Sequence, residues 1–233
     1  MNFGLVDYWR MYKAKGIRLP LAYFFQAQLF DLLHGTETHT WMPKEQFAAQ
    51  PENFGHGVLY MCSWTSEVKN AFQVARQLLK DEFEDYAFVD IGCGKGKVVL
   101  VWQRALMDAG FAAQAYGVDY YGPFIELARE NHRKVFGTNG NYACADATRL
   151  DFAEYGKKII AYLYNPFDEV ILAAVIERLS GIPSLIVYNN PVHAELFERY
   201  GYKMVYRKRG FHPNAHTAIF SNCPRTIADA AAA

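Results

Sequence analysis

Several signatures of specialised proteins are missing from this chain of 233 residues. Its four cysteines, Cys62, Cys93, Cys144 and Cys223, form no C-x-x-C pair. This spacing argues against a disulfide framework or a zinc site and favours reduced thiols. The histidines show no H-E-x-x-H spacing. We therefore expect no metal site, because zinc needs three or four convergent ligands.

An excess of charge and a long apolar run are also absent. Lys+Arg and Asp+Glu stand at 24 each, and this balance gives no electrostatic footprint for nucleic acid. The apolar run after Arg18 is too short for a signal peptide. No stretch approaches the roughly 18–20 apolar residues that a membrane span needs. We expect a cytoplasmic protein without a membrane span.

The pattern that is present changes near residue 85. Residues 1–84 have helical spacing and loops, which predicts an N-terminal helical cap over the substrate, with His39 and His56 in a covering loop at 35–57. Over residues 85–223 short apolar strands alternate with amphipathic helices, and the last two strands have no helix between them. This predicts an α/β fold, a doubly wound, mostly parallel seven-stranded sheet with an antiparallel C-terminal hairpin. Residues 224–233 are predicted to be a flexible tail.

The stretch "FVDIGCGKGKVVL" has the strongest local signal. A predicted strand leads into a turn that contains Gly92, Gly94 and Gly96, and a helix follows at once. Glycines permit such a tight turn and let backbone amides approach a ligand at the helix N-terminus. A dinucleotide fingerprint would place its third glycine at Lys97. A phosphate loop would need Ser or Thr after Lys95. The spacing therefore disfavours both of these sites.

Two acidic residues follow at the ends of the next strands. The strand in "AYGVDYY" ends with Asp119, where a carboxylate can accept both hydroxyls of a ribose. The strand in "ACADATRL" ends with Asp146, which is placed to accept from an adenine amine. Each Asp alone is more often a helix cap. Together with the glycine turn, they lie where open α/β sheets bind ligands.

These motifs, with "YLYNPF" and the final hairpin, resemble the class I S-adenosylmethionine-dependent methyltransferases over about residues 86–222. A narrower likeness is to small bacterial members of unassigned substrate that share the DIGxGKG and YNPF motifs. The resemblance implies S-adenosylmethionine as cofactor and S-adenosylhomocysteine as product. The resemblance implies that Asp90, Gly92 and Gly94 lie near the methionine moiety, and that Cys93 and Gly96 of the same turn also bind the cofactor. It places Asp119 at the ribose, Tyr120 against the adenine ring, and Asp146 with Ala147 at the adenine.

The stretch "HGVLYMCSWTS" is similar to a Tyr-plus-Ser/Thr segment that lies over the cofactor in lysine methyltransferases of this fold. The resemblance makes Tyr60, Ser63 and Thr65 candidates for cofactor contact. The alternative is a helix cap at Ser63, Thr65 and Ser66 with a core tyrosine.

Asn165, Pro166 and Phe167 are the predicted catalytic residues. The residue before a proline adopts extended geometry, so Asn165 is expected at a strand tip, where its oxygen can orient an attacking amine beside a Phe167 wall. The alternative is a strand stop with Asp168 as a helix cap. Candidate bases are Asp168, Glu169, His193 and Tyr164.

The next strand ends in "IVYNNP", which suggests that Tyr188, Asn189 and Asn190 form one polar rim with Asn165. The expected function is methyl transfer to a nitrogen of a protein lysine or a small amine. Two alternatives stay open, a non-catalytic S-adenosylmethionine sensor and a nicotinamide-dependent oxidoreductase. The acceptor itself, a protein or a small molecule, is not identified, and neither is an oligomeric state.

Overall fold

A seven-stranded sheet organises the chain, which the computed structural model describes over residues 4–40 and 60–231. The strand order is β3-β2-β1-β4-β5-β7-β6, and only β7 runs antiparallel to its neighbours. This confirms the predicted doubly wound sheet with its C-terminal hairpin. The strands are β1 Ala87–Ile91, β2 Ala115–Asp119, β3 Asn141–Cys144, β4 Ile159–Tyr164, β5 Ser184–Asn189, β6 Lys203–Lys208 and β7 Thr217–Ser221.

Helices cover both faces of this sheet, because its central strands are apolar on both sides. One core layer packs Phe72 and Trp102 against Phe88 of β1, and the other packs Leu172 and Phe197 against the opposite face. The helices are α1 Leu5–Lys15, α2 Arg18–Tyr23, α3 Leu29–His34, α4 Thr65–Leu79, α5 Lys97–Asp108, α6 Gly122–Phe136, α7 Glu169–Ser180, α8 Leu196–Arg199 and α9 Pro224–Ala231. Residues Phe24–Gln28 form a π-helical turn that joins α2 to α3.

The start of α4 differs from the predicted side-chain cap. Trp64 is its N-cap and makes no side-chain cap bond. The α4 N-terminus instead uses the distant Gln26, whose Oε1 accepts from Ser66 N at 2.8 Å and whose carbonyl accepts from Thr65 Oγ1 at 3.0 Å. The π-helical turn is therefore bound directly to the sheet domain.

The chain end also differs from the sequence expectation. Where a flexible tail is predicted, residues Pro224–Ala231 form α9, with Thr226 buried. Arg225 and Asp229 form ion pairs with Asp81 and Lys80 respectively. No helix in the described ranges is long and apolar enough to cross a membrane.

Candidate functional site

The glycine turn after β1 has a backbone that only glycine adopts easily. Gly92, Gly94 and Gly96 have φ of 79°, 52° and 85°. A Cβ on Gly94 would lie 2.1 Å from the ring of Tyr60, and one on Gly92 would lie 2.7 Å from Pro166. The turn therefore brings the end of β4 and the segment before α4 into contact with the end of β1.

Asp119 at the end of β2 is held by this turn. Its Oδ2 accepts from Gly94 N at 2.8 Å, and its Oδ1 accepts from Tyr121 N at 2.9 Å. Burial raises the pKa of Asp119 to about 6, and the backbone hydrogen bonds oppose that shift. Three backbone donors do not fill the roughly four lone-pair sites of a carboxylate, so Asp119 can accept a further donor from a ligand.

Asp90 in β1 has a different environment. The residue is only 2% exposed, and its Oδ2 has no hydrogen-bond partner in the described part of the chain. Burial raises the pKa of Asp90 well above its usual value, and the nearby Asp119 adds to the shift. A buried acceptor without a donor is costly. This position therefore favours a ligand that brings a cation or a donor.

The end of β4 carries the Asn165-Pro166-Phe167 motif. Asn165 has a φ of 39°, which is left-handed rather than the extended geometry predicted from the following proline. Its Oδ1 accepts from Tyr188 OH at 2.9 Å. Asp168 caps α7 by accepting from Val170 N at 3.1 Å. The motif is thus both a strand stop with a helix cap and part of the cleft wall.

The predicted polar rim is only partly present. Tyr188 contacts Asn165, and Asn190 lines the cleft with a φ of 51°. Asn189 is wrong as a rim residue, because its Nδ2 donates to the carbonyls of Asn214 and His216 at 3.1 and 2.8 Å. Its side chain stabilises the residues that lead into β7 and is fully buried.

One cleft connects the carboxyl ends of β1, β2 and β4. It holds about 810 Å³ of space, part of which opens to solvent. The predicted site residues that line it are Tyr60, Ser63, Asp90, Gly92, Cys93, Asp119, Tyr120, Asn165, Pro166 and Phe167. Gly94 and Gly96 lie in the turn beside it.

Asp146 and Ala147, predicted at the adenine, do not line this cleft. Asp146 Oδ1 accepts from Thr148 N and Thr148 Oγ1 at 2.9 and 2.7 Å, as a cap of a short 3-10 turn. The base candidates are also dispersed, since His193 lies 4.0 Å from Glu195 and only Tyr164 lines the cleft.

Sequence reasoning missed several cleft residues, namely Met61, Cys62, Lys97, Val98 and Phe124. Lys97 is the first residue of α5 and is 2% exposed. Its Nζ donates to the carbonyl of Gln26 and lies 5.3 Å from the ring centre of Phe30. A lysine at the head of the otherwise apolar stretch "KVVLVW" was the available signal.

The N-terminal segment closes one side of the site. Tyr60 OH donates to the Thr38 carbonyl at 2.8 Å, and Lys95 forms an ion pair with Glu37 at 2.8 Å. Of the two histidines predicted in the covering loop, His39 is bound to α3, since its Nδ1 lies 2.6 Å from Asp31 Oδ2, and His56 lies outside the described residues. The residues described here contain no group of three or more His, Cys, Asp or Glu that could hold a metal ion.

Residues 88–180 match the model of a family described as a methyltransferase domain. The match covers less than half of the chain, and it contains the glycine turn, Asp119 and Asn165. No curated protein matches the sequence. The sheet has the Rossmann-like topology, and the matched segment is similar to a methyltransferase domain.

Solved structures resemble the chain at low identity. One is an S-adenosylmethionine-bound amino pentose methyltransferase of Micromonospora echinaspora, with 11% identity, a TM-score of 0.51, and coverage of 70% of this chain and 92% of that one. Another is the magnesium protoporphyrin IX methyltransferase of Synechocystis PCC 6803 with S-adenosylmethionine bound, with 14% identity, a TM-score of 0.48, and coverage of 95% and 98%. Identities this low indicate the fold alone.

Proposed function

We propose that this protein is a methyltransferase that uses S-adenosylmethionine and transfers the methyl group to an amine nitrogen of a protein lysine or a small molecule. The observation that supports it most is the buried Oδ2 of Asp90, which has no hydrogen-bond partner among the described residues. It lies beside the glycine turn and Asp119, inside the segment that matches a methyltransferase domain.

The cleft fits the cofactor group by group. The raised pKa of Asp90, and its Oδ2 without a partner among the described residues, suit the α-ammonium of the methionine moiety. Asp119 keeps lone-pair capacity for a ribose hydroxyl. Tyr120 and Phe124 supply aromatic surface in the same cleft, which suits an adenine ring.

The wall of the cleft favours an amine acceptor. When bound, the cofactor supplies a sulfonium methyl that is open to in-line attack. Asn165 offers its side-chain oxygen to a nitrogen donor, while Tyr188 OH, already bonded to that oxygen, holds the amide in place. Tyr164 and Phe167 line the same cleft and exclude water from the attacking lone pair.

Apart from Asp90 and Asp119, which we assign to the cofactor, no described residue of the cleft is suited to remove a proton from a lysine substrate. Burial raises the pKa of Tyr164 well above 10, so its hydroxyl stays protonated, and Asp168 is engaged as a helix cap. Asparagine has no basic group. We infer that the amine loses its proton to solvent before it attacks, helped by apolar surroundings that disfavour the ammonium.

A thermal-shift comparison tests the cofactor. S-adenosylhomocysteine at 100 times its Kd should add about 2.7 kcal/mol, and each kcal/mol raises the Tm by about 2–4 °C at this chain length. We expect a rise of about 5–10 °C with S-adenosylhomocysteine and none with NAD. A rise with NAD alone would instead support an oxidoreductase.

Transfer of a labelled methyl group tests the activity and the acceptor. A lysate fractionated into protein, nucleic acid and small molecules should take up label in the protein or small-molecule fraction, in an amine product. Cofactor binding with no label in any fraction would favour a sensor. Label in nucleic acid would contradict the amine proposal.

A substitution at Asn165 tests its role without adding backbone strain. Asn165→Gly removes the amide and keeps a left-handed φ accessible, so kcat should fall by about 10–100-fold while the Kd for S-adenosylhomocysteine stays within about twofold. Lys80→Gly is the matched control, since Lys80 has a φ of 51° at the end of α4 and does not line the cleft. An unchanged kcat in Asn165→Gly would rule out the clamp.

A further inference from the structure

Lys97 is a buried lysine that has no counter-ion among the residues that the structure describes. It begins α5 directly after the glycine turn, is 2% exposed, and lines the cleft with Cys62 and Val98. Its Nζ donates to a neutral carbonyl, that of Gln26, and faces the Phe30 ring. Within residues 4–40 and 60–231 it forms no ion pair.

The acidic groups around Lys97 do not neutralise it. Asp31 contributes only at a distance, because its oxygens accept from Thr36, Thr38 and His39. Burial raises the pKa of the Cys62 thiol, which keeps it neutral, and burial also lowers the pKa of Lys97. An unpaired buried charge is strongly unfavourable, so this position favours an anion.

The backbone at the N-terminus of α5 also favours an anion. Lys97 is at the N-terminus of a helix of 12 residues, where the helix dipole and free amides attract negative charge and disfavour a cation. A lysine here adds its positive charge to that of the helix end, which strengthens the attraction for an anionic group. The helix end and the ammonium therefore act on the same side of the cleft.

Asp90 supplies the complementary charge. Its Oδ2 has no partner in the described chain, so it is not paired with Lys97, although both residues line the same cleft. One buried amine and one buried carboxyl group, not paired with each other in one cleft, match the two charged groups of an α-amino acid.

We propose that Lys97 binds the α-carboxylate of the methionine moiety of the cofactor while Asp90 binds its α-ammonium. This rests on the proposed function. It makes the first residue of α5, together with the glycine turn, a determinant of cofactor affinity. It also connects the cofactor to the π-helical turn, since the same ammonium bonds to Gln26.

The test removes each partner of the proposed ion pair in turn: the carboxylate, by using a decarboxylated ligand, and the Lys97 ammonium, by substitution. Calorimetry gives the Kd of S-adenosylhomocysteine and of its decarboxylated analogue, S-adenosyl-3-thiopropylamine, for the wild type, Lys97→Met and Lys97→Arg. We expect the wild type to prefer S-adenosylhomocysteine by about 10–100-fold. Lys97→Met should bind both ligands within about threefold of each other, and Lys97→Arg should restore the preference.

Each contrary outcome has a distinct meaning. A wild type that binds both ligands equally, or Lys97→Met with the full wild-type preference, would overturn the carboxylate assignment and leave the proposed function intact. Binding of neither ligand by the wild type would refute the proposed function and this assignment with it. Should Lys97→Met not fold, a crystal structure of the wild type with S-adenosylhomocysteine decides: Nζ within about 3.2 Å of the carboxylate supports the proposal, and a gap beyond about 4 Å overturns it.

Discussion

The carboxylates of Asp31 and Asp90 are both nearly inaccessible to solvent, at 5% and 2% exposure, yet their surroundings are opposite. Asp31 in α3 accepts from Thr36 Oγ1, from Thr38 N and Oγ1, and from His39 N and Nδ1, all within 2.8 Å. We call these four residues the Asp31 cluster. Asp90 has an oxygen with no donor in the described chain.

The pKa shifts follow this difference. Burial alone would raise the pKa of Asp31, and the hydrogen bonds from His39, Thr36 and Thr38 outweigh it and hold that pKa well below its usual value. Burial raises the pKa of Asp90 and has no such opposition. A buried carboxylate whose oxygens all accept hydrogen bonds stabilises the fold, whereas one with an oxygen that lacks a donor favours the binding of a ligand.

The largest expected effect is on the Asp31 cluster. Asp31→Ala leaves buried donors without an acceptor, and we expect it to lower the free energy of unfolding by about 3–5 kcal/mol and the Tm by roughly 10 °C. Denaturant unfolding measures this. The control Asp81→Ala removes an exposed carboxylate and should cost under about 1 kcal/mol. Equal losses in the two variants would show that the Asp31 cluster is not structural.

The converse is expected for Asp90→Asn. This neutral, isosteric change should leave the free energy of unfolding within about 1 kcal/mol of the wild type or raise it, because burial already disfavours the charged form of this carboxyl group. It should weaken S-adenosylhomocysteine binding by about 10–100-fold. Asp85→Asn, at an exposed acid paired with Lys158, is the matched control. A Tm loss like that of Asp31→Ala, with affinity intact, would reverse the comparison.

The third expected effect is the pH dependence of binding. Asp119 binds a ribose best when ionised, and with a pKa of about 6 it is about one tenth ionised at pH 5. The Kd for S-adenosylhomocysteine should therefore rise about tenfold or more from pH 7.5 to 5, with Asp90 acting in the same direction. Calorimetry at several pH values measures this, and a constant Kd would contradict it.

The stability of the ligand-free protein should depend on pH with opposite signs in the two regions. The folded pKa of Asp119 lies above its unfolded value near 3.8, so its contribution to stability grows as pH falls through about 6 and is complete below about 4. The folded pKa of Asp31 is lowered, so its contribution is complete above about pH 4 and is lost as pH falls further.

The smallest expected effect is the loss of one donor from the Asp31 cluster. Thr36→Val removes the hydroxyl that donates to Asp31 Oδ1 at 2.6 Å and should cost about 1 kcal/mol of unfolding free energy. Thr36→Ser keeps the hydroxyl and should cost clearly less. If Thr36→Val leaves the free energy of unfolding unchanged while Asp31→Ala lowers it, the hydrogen bonds from Thr38 and His39 are sufficient to stabilise the carboxylate.

Much of the sheet was predictable because its signals are local. The apolar strands, the helices between them and the missing helix before β7 lie in consecutive residues, and the short connections of an α/β sheet restrict the topology. The helix α9 was missed because "ADAAAA" carries no apolar stripe, whereas in the fold Arg225 and Asp229 pair with residues near the end of α4.

The candidate site was predictable where it depends on strand ends. Asp90, Asp119 and Asn165 meet because parallel strands bring their carboxyl ends to one edge. Asn189 was misplaced because its orientation depends on the insertion of β7, whose flanking carbonyls attract its amide. Asp146 remains a prediction, since its place depends on a ligand rather than on the chain.

By itself, the sequence determined the order of strands and helices, the glycine turn and the strand-end residues, since each depends on neighbours along the chain. Only the tertiary structure decided which charges are satisfied. Lys97 donates to the carbonyl of Gln26, 71 residues away in the sequence. The Oδ2 of Asp90, in a strand with a neighbour on either side, has no donor among the described residues. Burial and partners come from distant segments, and they decide whether a buried charge stabilises the fold or binds a ligand.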